Sequence, residues 1–248
     1  MAAVERAEQD LEAAAASTLA WWIEAGVDVI VGEEPRDWLR PKPAAAAAAA
    51  PETEAPAAEA QAESLPAQLG LFREWLSGSA DLPFASPSAP RVCPAGDPDS
   101  GLMILTDMPT GEDCAAGTLL SGAAGRLFDR MLAAIGRDRD SIYLAALSCL
   151  RPPGGQLGAE GAKQCALLAR HHIGLAAPKA LLVFGDNASK ALLGLPVSRA
   201  RGRWHEVATH SGPMRTIVTL SPDMLLKRPA DKAYAWRDLQ MLIEGLNG

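Results

Sequence analysis

In the second half of this chain, short apolar runs alternate with stretches whose apolar residues recur every three or four positions. Leu102–Thr106, Ile142–Leu147, Ala180–Phe184 and Thr216–Leu220 are strand-length and largely apolar, the pattern of strands covered on both faces. Helical spacing predicts helices over Gln68–Leu76 (Leu69, Phe72 and Leu76 on one face), Leu119–Ile135, Glu160–Ile173, Asn187–Leu193 and Asp231–Leu246. Gly136 ends the second of these, and Gly185 stops the third strand. Strands alternating with helices imply right-handed crossovers, so the pattern predicts an α/β fold: a three-layer α/β/α sandwich around a mainly parallel four-stranded sheet. In such sheets ligands bind beyond the carboxyl ends of the strands. Chemistry is therefore sought after Thr106, Leu147, Phe184 and Leu220.

The amino-terminal part reads differently. Glu5–Ala25 is Ala-rich, with Leu11, Leu19, Trp22 and Ile23 at helical spacings and Gly26 where a helix would stop. Pro41–Pro66 holds the alanine run Ala44–Ala50, then Pro51, Pro56 and scattered glutamates, with nothing large and apolar to pack. That composition predicts a disordered linker. The expected organisation is a helical extension over 1–40, the linker over 41–66 and a globular domain over 67–248.

Charge sharpens this division. The net charge of −7 conceals 17 acidic against 6 basic residues up to Ser100, and 13 against 17 from Gly101 onward. Only the second half has the sign that a phosphate backbone favours. Cys93, Cys114, Cys149 and Cys165 form no CxxC pair, so neither a disulfide framework nor a closed zinc site is written here. Met1–Asp10 carries Glu5, Glu8 and Asp10 in place of a basic-then-apolar leader. Apolar runs such as Ala180–Phe184 are far shorter than the roughly 20 residues of a spanning helix. A cytoplasmic protein is expected.

Five segments carry a resemblance. They are Leu102–Met131 (LMILTDMPTGEDCAAGTLLSGAAGRLFDRM), Tyr143–Gly154 (YLAALSCLRPPG), Ala180–Leu193 (ALLVFGDNASKALL), Arg201-Gly202-Arg203-Trp204 and Leu220–Lys232 (LSPDMLLKRPADK). In this order and nearly without gaps, they resemble the iron–sulfur (family 4) uracil-DNA glycosylases over most of Asp97–Gly248. The segment TLAWWIEAGVDVIVGEEPRDWLRP also looks like an extension carried by some bacterial members.

The resemblance implies a site in which a flipped uracil is stacked, read and released as an anion. The family's acidic position corresponds to Asp107, one methylene shorter, with Thr106 and Thr110 where the family has flanking glycines. Asp107 is read either as a retained functional carboxylate or as a cap on backbone N–H groups. The stacking position corresponds to Leu120, which lacks a π-face. Such stacking is worth about 1–3 kcal/mol per base. The base-reading position corresponds to Ala146, whose methyl group cannot hydrogen-bond, where such bonds discriminate by about 10⁴–10⁵. The anion-stabilising His corresponds to Ser221, which donates a hydrogen bond but carries no charge; losing one electrostatic donor costs about 10²–10³ in rate.

No other histidine sits at the matching loop. His171-His172, near a helix end, reads as a solvated or partly packed pair. The family's four-iron cluster needs four thiolates. Here only Cys165 falls in register, Leu150 precedes Arg151, and alternation would turn Cys149 to the opposite face. The cluster is expected absent and no metal site is assigned. Arg151, Arg201, Arg203 and Lys227, with Arg228 and Lys232, lie in or beside the carboxyl-end loops, as a phosphate-contacting rim or simply as solvated surface.

The leading expectation is a glycosylase-superfamily protein degenerate for uracil excision that retains DNA binding or serves a protein-binding role in DNA metabolism. One alternative is an active glycosylase of altered base preference using Asp107. Another is a protein-interaction scaffold with the Ala-rich linker and the Trp21-Trp22 helix as its partner-binding part.

Overall fold

The computed structural model describes residues 65–247. The helix read over Glu5–Ala25, Trp21 and Trp22, and the linker up to residue 64 lie outside the described residues. Among the described residues, no helix is long and apolar enough to cross a membrane.

Six strands form one sheet: β1 (Ala95–Gly96), β2 (Leu102–Thr106), β3 (Tyr143–Ala146), β4 (Ala180–Phe184), β5 (Trp204–Thr209) and β6 (Gly212–Thr219). Their spatial order is β1-β3-β2-β4-β6-β5. The four predicted strands are the parallel core, β3-β2-β4-β6. The expected four-stranded sheet is corrected by two antiparallel edges, β1 on β3 and β5 on β6. β1 is two residues long, and β5 buries only Val207 fully, so neither leaves an apolar run to detect. By contrast, every residue of β2 and β4 is buried.

Helices cover both faces, giving the three-layer sandwich. On one face α3 (Gly122–Ala134) and α8 (Lys232–Asn247) pack Phe128, Leu132, Leu239 and Leu242 against Leu102, Ile104, Leu182 and Phe184. On the other, α4 (Ala159–Ala176), α5 (Asp186–Leu193) and the short α6 (Val197–Ala200) contribute Ile173, Leu192 and Val197 over Met103, Leu105 and Val183. The alternation of β2 side chains between these layers is the two-residue period of a strand. Outside α4 lies α1 (Leu69–Gly78), whose Phe72 and Leu76 pack with Leu82, Cys149 and Leu150.

The helix expected over Leu119–Ile135 starts later, at Gly122. Leu120 (φ 53°) and Gly122 (φ 59°) are left-handed, which a right-handed helix cannot continue through. A separate helix, α2 (Gly111–Ala116), precedes this turn. One more, α7 (Pro222–Lys227), follows β6.

Candidate active site and nucleic-acid interface

The carboxyl ends of β3, β2, β4 and β6 bring Ala146, Asp107, Gly185 and Ser221 to one edge of the sheet. Asp107 follows β2 directly. Its Oδ1 accepts from the Ala188 backbone N–H at 2.7 Å, and its Oδ2 accepts from Asn187 Nδ2 at 3.3 Å. Ala188 is the third residue of α5, whose N-cap, Gly185, has no side chain to offer that N–H. Asp107 therefore caps a helix from a neighbouring strand. The fit requires glycine: a Cβ at Gly185 would stand 2.5 Å from the Asp107 carboxyl carbon, and φ there is 100°. Burial holds the Asp107 carboxyl above the ordinary value, and the hydrogen bonds from Ala188 and Asn187 offset only part of this.

Ser221 is also a cap. It is the N-cap of α7, and its Oγ accepts from Met224 N–H at 3.4 Å. The charged groups beside its neighbour Asp223 are two carboxylates and one cation. Burial raises the pKa of Asp223, and the charges of Asp113 and Glu112 push it further while Lys227 pulls it back. Asp113 itself is 3% exposed and accepts from Thr110 N–H, Ser121 N–H and Ser121 Oγ at 2.7–2.9 Å. With Thr110 it forms a capping box that starts α2, and through Ser121 it ties α2 to the turn before α3.

Leu120 and Ala146 belong to the same apolar layer, but Leu120 is a core residue, 4% exposed. Its carbonyl accepts from Arg139 at 2.6 Å and faces Gly125, where a Cβ would collide with it. Ala146 also lines a void of about 20 Å³, with Cys149 and Cys165 in its wall. That is room for about one water, not a nucleobase.

The thiols around this void correct one expectation. Cys149 faces the same space as Cys165 instead of turning away. The strand ends at Ala146, and Ser148 Oγ then closes a turn onto Leu150, donating to its carbonyl and accepting from its N–H, so alternation lapses. Burial pushes Cys149 up to about 12 and Cys165 up to about 11. Cys114 packs in the opposite layer from Cys165. The described cysteines thus do not surround one space with four thiolates, and a four-iron cluster does not fit them. No group of three or more His, Cys, Asp or Glu among the described residues is placed to hold a metal ion.

His172 corrects another. It is no solvated helix-end residue but 3% exposed, bonded to Tyr143 Oη at 2.8 Å, and burial depresses its pKa to about 3. His171 bonds the Pro66 carbonyl at 2.9 Å. The apolar face of α1 converts this end of α4 into core, which local sequence could not reveal.

The basic residues divide. Arg201 is engaged: it bonds Asp238 at 3.1 and 3.2 Å and the Tyr234 carbonyl at 2.8 Å. Asp238 is fully buried and also accepts from Thr219 Oγ1 at 2.7 Å. Arg201 is thus a structural residue, not a free rim cation. Arg151 is exposed and clamps two carboxyl-end loops by donating to the Pro109 carbonyl at 3.0 Å. Arg203, Lys227, Arg228 and Lys232 are exposed. Because β5 runs antiparallel to β6, with Trp204 opposite Ile217, Arg203 also lies at the carboxyl edge. From β3 to β5 is four strand spacings, about 19 Å, so Arg151 and Arg203 bracket Asp107.

Residues 93–240, more than half of the chain, match the family model of the uracil DNA glycosylase superfamily. The chain belongs to this superfamily. It is similar to the Type-4 uracil-DNA glycosylase of Pyrobaculum aerophilum, 26% identical over 157 residues that cover 60% of this chain and 80% of the relative. It is likewise similar to the Type-4 uracil-DNA glycosylase of Archaeoglobus fulgidus, 24% identical over 141 residues, 54% of this chain and 71% of the relative. The matched region holds the whole sheet, and Asp107 and Ser221 follow the carboxyl ends of β2 and β6 within it.

Proposed function

We propose that this glycosylase-like protein has lost efficient uracil excision and binds DNA across the carboxyl edge of its sheet. The observation that carries this reading is the double capping role: the two polar side chains at the positions matched to catalysis, Asp107 and Ser221, each hold a helix N-terminus. The surroundings of Ser221 support it. A departing uracil anion needs positive charge or donors, and here Asp223, Glu112 and Asp113 outnumber the one cation, Lys227. Leu120 is spent on the core and Ala146 has no donor, so neither stacks nor reads a flipped base. The same reading has no iron–sulfur cluster: Cys93 and Cys165 lie near Cys149, but Cys114 packs in the opposite layer, which leaves three thiols where four are needed.

DNA binding rests on the superfamily match and on Arg151, Arg203 and Lys227, exposed along one edge. A second reading, a glycosylase of altered base preference, is favoured by one fact: Asp107 is held protonated more readily than an ordinary carboxylate, as proton-transferring groups often are.

The test is a salt titration of binding to single- and double-stranded oligonucleotides with one uracil, followed by alkaline scission of the same samples. Salt-sensitive binding without scission is expected. Absence of binding would overturn the DNA-binding reading, and scission abolished by Asp107→Asn would establish the second.

A further inference from the structure

The helices that cover one face of the sheet leave a groove on the outside of the domain. It lies between α3, α7 and α8, has a volume of about 240 Å³, and is walled by Leu127, Met131, Leu225 and Trp236. Trp236 is 41% exposed although it is part of the wall. Two cations stand at the groove, Arg130 from α3 and Lys232 from α8. Both are exposed, and neither has an ion-pair or hydrogen-bond partner among the described residues. Two other arginines of this domain, by contrast, are engaged: Arg139 pairs with Asp129, and Arg201 with Asp238.

Position links this groove to the carboxyl edge. Lys232 is the first residue of α8, directly after the short connection that follows Lys227, the last residue of α7, and begins with Arg228. Trp236 follows one turn later, about 6 Å along the axis. An exposed indole flanked by exposed cations, with aliphatic side chains opposite it, is what unpaired bases use. The base faces rest on the ring and the aliphatic wall, the polar base edges stay in water, and the phosphates meet the cations. An acidic amphipathic helix would also suit an apolar groove with basic rims. The continuity of the cations from Lys227 through Arg228 to Lys232 favours an extended polyanion, because a helix seated in the groove would leave the first two unused.

We propose that this α3–α7–α8 groove is a single-stranded nucleic-acid subsite in which a base stacks on Trp236 while Arg130 and Lys232 hold the flanking phosphates. The proposal rests on the DNA-binding reading and extends the bound strand from the carboxyl edge down the flank of the domain. It assigns Trp236 no part in excision.

Fluorescence anisotropy of labelled dT15 with the full chain tests it, using the wild type, Trp236→Ala, Arg130→Ala and Arg151→Ala. Stacking on one aromatic is worth about 1–3 kcal/mol per base, so Trp236→Ala weakens binding by about 5- to 150-fold. Arg130→Ala lowers the salt slope by about one. dT15 also quenches a portion of the tryptophan emission that Trp236→Phe lacks. If the wild type and Trp236→Ala bind alike while Arg151→Ala is weakened, the subsite is wrong and the edge reading stands. If the wild type shows no salt-sensitive binding, both are wrong. If a synthetic Leu/Glu amphipathic peptide quenches Trp236 and dT15 does not, the groove is a peptide dock and the proposal is overturned.

Discussion

Asp107 caps a helix that begins 79 residues after it: its Oδ1 takes the Ala188 N–H at 2.7 Å, directly above a glycine that leaves the space open. A helix N-terminus has N–H groups without internal partners, and an acceptor from the N-cap residue normally takes one. Gly185 cannot, and Asp107 replaces it across two paired strands. The carboxylate at the position matched to catalysis is thus part of what holds α5 to the sheet.

That role has a stability signature. Removing an N-cap acceptor costs about 1–2 kcal/mol, so Asp107→Ala lowers the urea midpoint accordingly. Asp107→Asn keeps an acceptor and costs less.

Burial raises the folded-state pKa of Asp107, so the folded state binds its proton more tightly than the unfolded state does. Its contribution is fully present below the unfolded value, near 3.8, and is lost as pH rises through the folded value. The stability difference between wild type and Asp107→Asn therefore falls as pH rises above about 4 and levels off once the folded carboxyl is ionised. Urea melts at half-unit pH intervals check this, and a difference that grows with pH contradicts it.

Asp113 behaves in the opposite sense. Burial raises its pKa, but hydrogen bonds from Thr110 and Ser121 outweigh this and leave it lowered. Its stabilisation is present above the unfolded value and disappears as pH falls through the folded one. Asp113→Ala leaves the Thr110 and Ser121 donors without their acceptor and costs about 2–3 kcal/mol at pH 7. Chemical denaturation at pH 7 and pH 3 measures both, and the loss shrinks at the lower pH.

His172 adds to acid sensitivity. Its folded-state pKa is about 3, against roughly 6.5 when unfolded. Between these values the unfolded chain binds the extra proton, so stability contributed by neutral His172 is lost as pH falls from 6.5 toward 3. His172→Gln keeps a partner for Tyr143 Oη and flattens the stability–pH curve in that window. An unchanged slope would mean that His172 is not buried as described.

The four parallel strands were legible because each is apolar enough to be covered on both faces, and their order fixed the edge where the site lies. What was not legible depends on partners distant in sequence. Nothing near Arg201 announces Asp238, 37 residues later, nor does anything near Asp107 announce Ala188. Glu206 and Ala208 face solvent on β5, so an edge strand reads as a polar loop. Cys149 turns inward because Ser148 closes a turn after β3, a deviation that strand alternation cannot anticipate. The positions matched to catalysis were readable as substitutions, and their capping roles emerged only from the packing of the strands.

Two basic residues at the edge, Arg201 and Lys227, call for different outcomes. Arg201 lies against buried Asp238, and breaking such a pair from one side costs about 3–5 kcal/mol. Arg201→Ala therefore lowers the melting temperature sharply. Lys227→Ala leaves the melting temperature unchanged but weakens DNA binding and reduces its salt slope by about one. Thermal melts beside binding titrations distinguish them, and equal melting temperatures for the two variants would contradict the structural role of Arg201.

The most direct test of the central claim is a single-turnover excision assay with protein in excess over a uracil-containing single-stranded oligonucleotide, scored by alkaline scission. Scission no faster than in the protein-free control is expected, with the oligonucleotide demonstrably bound. Scission well above the control that disappears in Asp107→Asn would contradict it, and would make the helix-capping carboxylate a working catalytic residue.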